Sequence, residues 1–268
     1  MGVLLAAGCS FTGYETYSKN IHVVEPIDFE LWPNIVANEL GMECLNIGRC
    51  GASNDYISST VMETILNRDD IDAVYILLTD WLRTNTFEIA GWDLHIAGQP
   101  NTLISDDNIP NHQDSIIARH KNVKQRMAVL EIFKDLHEIC PAENLIDSII
   151  KHAVYKNIVP LQHICKLRNI PLKIMQGLTP INPYSWLFRL LGYIFEKSGA
   201  LPQNIIPDNI VKYEQHIDVG NFKGWPIYSS IGGFHWDFAK TRPDLIMSQS
   251  NAHPNKKGHE LLARRFLD

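Results

Sequence analysis

Short apolar runs, each closed by a knot of small polar residues, alternate with helix-periodic stretches through the first third of the chain. Residues 2–7 (GVLLAA) are continuously apolar and stop at Gly8-Cys9-Ser10-Phe11-Thr12. A run without alternation suits a strand buried on both faces of a parallel sheet. Residues 31–40 (LWPNIVANEL) have helical apolar spacing, with Pro33 near the start and Gly41 as the stop. Residues 43–47 (ECLNI) predict a second strand, ending at Gly48-Arg49-Cys50-Gly51. Ser53-Asn54-Asp55 then cap a helix to about residue 67, with Ile57, Val61 and Ile65 on one face. Residues 73–78 (AVYILL) predict a third buried strand. This β-α-β-α-β order predicts a doubly wound parallel sheet.

The rhythm breaks at residues 85–120, which are rich in Asn, Asp, Gly and Pro and hold Trp92 and His95. So long a loop inside a domain is usually a lid or binding insertion. Helical patterns come next over 123–139 and 145–167, then a strand candidate at 171–176 (PLKIMQ) and a helical stretch at 186–195. Residues 199–246 read as a second irregular insertion, and 255–266 as a closing helix. The expectation is one α/β domain over 1–268 carrying two insertions, without internal repeats.

Composition narrows the function classes. The 268 residues carry a formal net charge of -6 and no long Lys/Arg run, which argues against nucleic acid as partner. No apolar stretch is long enough for a bilayer span. Five cysteines without a CxxC predict buried thiols in a reducing compartment, not a zinc site or disulfide framework. Leu5-Ala6-Ala7-Gly8-Cys9 resembles a lipoprotein cleavage box. However, the preceding apolar run is short, no Lys or Arg precedes it, and Ala6 stands where such boxes carry Leu. Ala6 also argues against N-myristoylation, whose signal has Ser or Thr there. The chain is expected to start on its first strand, without a signal peptide, and to be cytoplasmic or virion-associated.

Open parallel sheets bind ligands beyond the carboxyl ends of their strands. Polar groups gather at three such ends: Ser10 and Thr12; Gly51, Ser53 and Asn54; Thr79, Asp80 and Arg83. Late in the chain, His253 precedes Pro254, which holds it extended at the mouth of the last helix. A nucleophilic serine needs a base within hydrogen-bond reach and donors for its oxyanion. His253 and the Gly51 N–H are the candidates for those roles.

The order Gly8-x-Ser10-x-Thr12, Asn46-x-Gly48-x-x-Gly51-x-Ser53-Asn54 and His253-Pro254-Asn255-x-x-Gly258-His259 resembles the SGNH/GDSL hydrolase family, in the GCSFT variant of bacterial and phage-encoded members. The likeness covers about 1–83 and 250–268. It implies a three-layer α/β/α sandwich with a parallel, flavodoxin-like sheet, and ester hydrolysis through an acyl-serine without a cofactor. Carried over, Ser10 is the nucleophile, His253 the base, and the N–H groups of Ser10 and Gly51 oxyanion donors. Two places depart from the pattern. Thr79 stands where the family has an Asn that donates to the oxyanion, with Asn54 as the other candidate donor. Losing one such donor costs roughly 10²–10³ in rate. The family's acid before the His is replaced by Ser250 and Asn251. Asn251, Ser250, Asp80 and Asp237 are the candidates to orient His253, and a Ser–His dyad is the remaining option.

Asp80, Arg83 and His235 are candidate substrate contacts, the last in a Gly- and aromatic-rich loop suited to a sugar. Ser53 and Asn54 have a plain structural role as helix caps, and His259 one on the last helix. No HExxH-like spacing predicts a metal. The leading expectation is a serine esterase acting on a small acyl ester, such as O-acetyl groups on carbohydrate. The alternative is a catalytically impaired protein of the same fold that binds glycan or serves in a phage virion. A nucleotide-binding domain is set aside, since neither a P-loop Lys nor Gly-x-Gly-x-x-Gly is present.

Overall fold

The computed structural model describes residues 2–13, 27–79, 85–89, 92–95, 150–178, 212–224, 242–248 and 251–268. The first strand, β1 (Val3–Gly8), is buried along its whole length, as its unbroken apolar sequence requires. Helix α1 (Trp32–Leu40) carries Pro33 in its first turn, for which its fixed φ is pre-set, and ends at the left-handed Gly41. It leads to β2 (Glu43–Asn46), and helix α2 (Asn54–Asn67) leads on to β3 (Ile71–Leu78). Ser53 is the N-cap of α2, its Oγ accepting from the Tyr56 N–H.

The fourth sheet strand, β6 (Leu172–Gln176), comes after a helical stretch that widens to a π turn over Ala153–Ile158 before α3 (Val159–Leu167). Pro160 explains the widening. It has no N–H to give and would press on the carbonyl four residues back. The chain instead closes a wider turn, with Val159 N–H bonded to Val154 O.

All pairings in the main sheet are parallel, in the order β2-β1-β3-β6. Helix α1 packs with the closing helix α4 (Lys256–Leu267) on one face, and α2, the π turn and α3 pack together on the other, as the right-handed crossover rule expects. The architecture is the three-layer α/β sandwich expected. On the α1/α4 face, Phe266 stacks on Trp32 at 4.4 Å and on Tyr75 at 5.3 Å between ring centroids. Such pairs add roughly 0.5–1.5 kcal/mol each beyond the area they bury.

Three features depart from the expected outline. The stretch beginning at residue 85 opens as an antiparallel ribbon, β4 (Asn85–Ile89) with β5 (Trp92–His95). Inside 199–246, Tyr213, Ile217, Phe222 and Leu245 are buried in the core. Phe222 forms a parallel bridge to Ile174, and Lys223 N–H bonds Ile174 O at 2.9 Å, so this stretch continues the sheet past β6. Finally, β7 (Ile246–Ser248) and β8 (Asn251–Pro254) pair as a short antiparallel hairpin before α4. The expected helices at 123–139 and 186–195 lie outside the described residues. Among the described residues, no helix is long and apolar enough to cross a membrane.

The order in which the chain adds strands reverses between β1 and β3, and a crevice forms at such a switch point. Gly8 at the end of β1 pairs with Leu77. Ser10 and Thr79 each lie two residues further on, one on either side of the switch.

Candidate active site

After β1 the chain folds into a tight turn. Thr12 N–H and Gly13 N–H both bond Cys9 O, at 2.9 and 3.1 Å. The Thr12 side chain accepts from Trp32 Nε1 at 3.3 Å, and Thr12 O accepts from Asn46 Nδ2 at 2.8 Å. Asn46 Oδ1 in turn accepts from Gly48 N–H at 2.9 Å. The loops after β1 and β2 press together so closely that a Cβ on Gly13 would lie 2.5 Å from Gly48 O. Arg49 N–H bonds Gly8 O at 3.0 Å, which ties the second loop to the end of β1. That loop turns over Arg49–Ala52, with Ala52 N–H on Arg49 O and Gly51 at φ 80°. A positive φ at the third position is the requirement of a type II turn, which glycine meets without strain. In both turns the closing bond leaves the N–H of a central residue, Ser10 or Gly51, outside it. Cys9 is fully buried in the core and leaves Ser10 as the polar residue presented by the turn.

His253 arrives from the other end of the chain on β8. Its Nε2 lies 2.9 Å from Ser10 Oγ, across 243 positions of sequence. Phe11 meets the imidazole edge-on, with centroids 5.1 Å apart. Pro254 keeps the backbone extended, and Asn255 fixes the entry into α4. The Asn255 side chain caps α4 by accepting from Gly258 N–H at 3.1 Å. Its Nδ2 donates to Asp244 O and Ile246 O, both at 3.0 Å. One residue thus locks the hairpin to the helix beside His253.

His259 secures the same corner. It is fully buried, and its Nδ1 accepts from Trp32 N–H at 3.2 Å, capping α1 where Leu31 offers no side chain. Burial first, and then the proximity of His253, pushes its pKa down to about 3. The ring is therefore neutral near pH 7, as an acceptor at Nδ1 must be.

On the far side of the switch point stands Thr79, fully buried. Asn54 grips its main chain twice: Oδ1 accepts from Thr79 N–H at 2.9 Å and Nδ2 donates to Thr79 O at 3.1 Å. Gln176, at the end of β6, donates to the same carbonyl at 2.7 Å. Among the described residues, Thr79 Oγ1 has no hydrogen-bond partner. Asn54 is thus the first residue of α2 rather than its cap, and its amide is engaged on Thr79.

No family model matches the chain, and a search of curated proteins finds no match. Among solved structures it is similar to one from Desulfitobacterium hafniense DCB-2 described as a lipolytic protein of the G-D-S-L family. That match has 12% identity and a TM-score of 0.35 over 99% of this chain and 97% of that one. It is also similar to a catalytic mutant of an acetylxylan esterase from Geobacillus stearothermophilus. Here the identity is 14% and the TM-score 0.36, over 100% of this chain and 94% of that one. At that level of likeness, the chemistry rests on the chain's own residues.

Of the residues singled out in the sequence, Ser10 and His253 meet directly, and Gly51, Asn54 and Thr79 stand at neighbouring strand ends. Asn251 opens β8 with its backbone opposite Ser248, and its side chain lies outside the described set. Asp80, Arg83, His235, Asp237 and Ser250 lie outside the described residues. Gln176 was not among the sequence candidates. Its signal was present, as a polar residue closing the apolar strand PLKIMQ at the same carboxyl edge as the other three strand ends.

Proposed function

We propose that the protein is a serine esterase of the SGNH/GDSL type that hydrolyses a small acyl ester. The observation that carries this reading is the 2.9 Å approach of His253 Nε2 to Ser10 Oγ. A serine hydroxyl within hydrogen-bond distance of an imidazole can lose its proton to the ring as its oxygen attacks a carbonyl.

Ser10 Oγ forms a bond to the ester carbonyl carbon, and its proton passes to His253 Nε2. The carbonyl electron pair moves to oxygen, where the N–H groups of Ser10 and Gly51 and the Thr79 hydroxyl receive the negative charge. Collapse breaks the bond to the leaving alkoxide, which takes the proton from His253 and departs as an alcohol. Water then repeats the sequence on the acyl-serine and releases the acid. The preferred substrate class is an O-acyl ester on carbohydrate, with Asp80, Arg83 and His235 as contacts. Motif resemblance supports that choice.

The test is p-nitrophenyl acetate hydrolysis by wild type and by Ser10→Ala. Serine-dependent release of p-nitrophenol is the expected result, and equal rates would remove Ser10 from the chemistry. The reading of this chain as a glycan-binding or virion protein would then take its place.

A further inference from the structure

We propose that Asn54 and Gln176 are positioning residues that hold the end of β3 so that the Thr79 hydroxyl, and not the Asn54 amide, serves as the side-chain donor to the oxyanion. This rests on the esterase reading and assigns one of its parts.

Every main-chain polar group of Thr79 is occupied. Its N–H goes to Asn54 Oδ1, and its carbonyl accepts from both Asn54 Nδ2 and Gln176 Nε2. The three bonds come from two elements packed against β3, so the residue cannot rotate about the strand axis without breaking buried hydrogen bonds. The clamp is itself braced. Asn157, on the π turn, reaches Asn54 O at 3.1 Å when its amide nitrogen is turned toward α2, and also Ser58 Oγ and Asp55 Oδ1, both at 3.2 Å. Next to the clamp, Gly177 N–H bonds Leu78 O at 2.7 Å. A Cβ at Gly177 would lie 2.9 Å from that oxygen, so β3 and β6 stay in close contact to their ends.

One polar atom of Thr79 is left over. Its Oγ1 is buried and has no partner among the described residues. Buried hydroxyls are normally hydrogen-bonded, and an exception calls for a reason such as a ligand atom that completes the bond. Thr79 stands across the switch point from Ser10, where a reacting carbonyl would sit. The Asn54 amide has its oxygen and one N–H committed to Thr79, which makes it the holder and Thr79 the held donor.

The experiment is a double-variant cycle read in kcat and KM for p-nitrophenyl acetate, with thermal midpoints measured in parallel. Thr79→Val removes the hydroxyl and should lower kcat roughly 10²-fold with little change in KM, while Thr79→Ser should retain most activity. Gln176→Met keeps the length but loses the donor. Asn54→Asp keeps the acceptor for Thr79 N–H but loses the donor to its carbonyl. Each should lower kcat about tenfold in the wild-type background and less than about twofold in the Thr79→Val background. Full activity in Thr79→Val, with Ser10 still required, would overturn this proposal and leave the esterase reading standing. So would equal losses from Gln176→Met in both backgrounds, which is the behaviour of a purely structural clamp. Activity independent of Ser10 would overturn both.

Discussion

Two strand ends face each other across the switch point, and they differ in what their side-chain hydroxyls meet. The turn after β1 is fixed by its own main chain, by close glycine contacts and by Asn46 and Trp32 on Thr12, and its serine hydroxyl meets a partner from the far end of the sequence. The end of β3 is fixed by side chains from α2 and β6 that grip the main chain of Thr79 and leave its hydroxyl over. The first arrangement suits a group that must move a proton, because Ser10 is coupled to an imidazole carried on a separate hairpin. The second suits a group that must stay still, since preorganised donors stabilise developing charge without reorganising.

The largest effect falls on the side that carries Ser10 and His253. Ser10→Ala and His253→Ala should each lower kcat for p-nitrophenyl acetate at least ~10³-fold, with the double variant hardly worse than either, because the two act as a unit. Additive losses would show that Ser10 and His253 act independently.

Acid should loosen the same side next. His259 caps α1 through Trp32, and Trp32 also holds Thr12 in the serine turn. Its pKa is about 3 in the fold against 6.5 for the free group, so the unfolded chain binds more protons between those values. Stability is fully present above about pH 6.5 and falls as pH drops, by about 1.4 kcal/mol per pH unit from this residue until the ring protonates in the fold. Urea unfolding from pH 7 to pH 4 should show this slope, and His259→Gln should flatten it. An unchanged slope in that variant would assign the acid sensitivity to other groups.

Asn255→Ala removes the α4 cap and both ties to the β7 segment, and should cost about 1–2 kcal/mol by thermal or urea unfolding. It should also lower kcat, since the corner that carries His253 is released. The smallest change is Gly51→Ala, which forces a side chain to φ 80° and should cost about 1 kcal/mol. A loss of kcat larger than that strain explains would mark the Gly51 turn as part of the oxyanion side.

Legibility in the sequence divides along the same line. The strands β1 and β3 were legible because burial on both faces leaves continuous apolar runs, β6 because Leu172, Ile174 and Met175 remain a short apolar cluster around Lys173, and α1 and α2 because their caps and periodicity are local. The hairpin that carries His253 was not, since IMS and NAHP are too short to show any period. Ser10 and His253 could be paired on motif alone, because nucleophile and base are specified by residue type. The clamp on Thr79 could not, because it holds main-chain atoms, which impose no residue type, and Gln176 lies 97 positions away. The capping of α1 by His259, 227 positions away, was hidden for the same reason.

The proposed esterase chemistry turns on Ser10 being a nucleophile activated by His253. Its most direct test is labelling with a fluorophosphonate, with the adduct located by peptide mass spectrometry in wild type and in His253→Ala. One adduct is expected, on Ser10, forming at least ~10²-fold more slowly without the imidazole. An unlabelled Ser10, or one that reacts equally fast in both proteins, would contradict it.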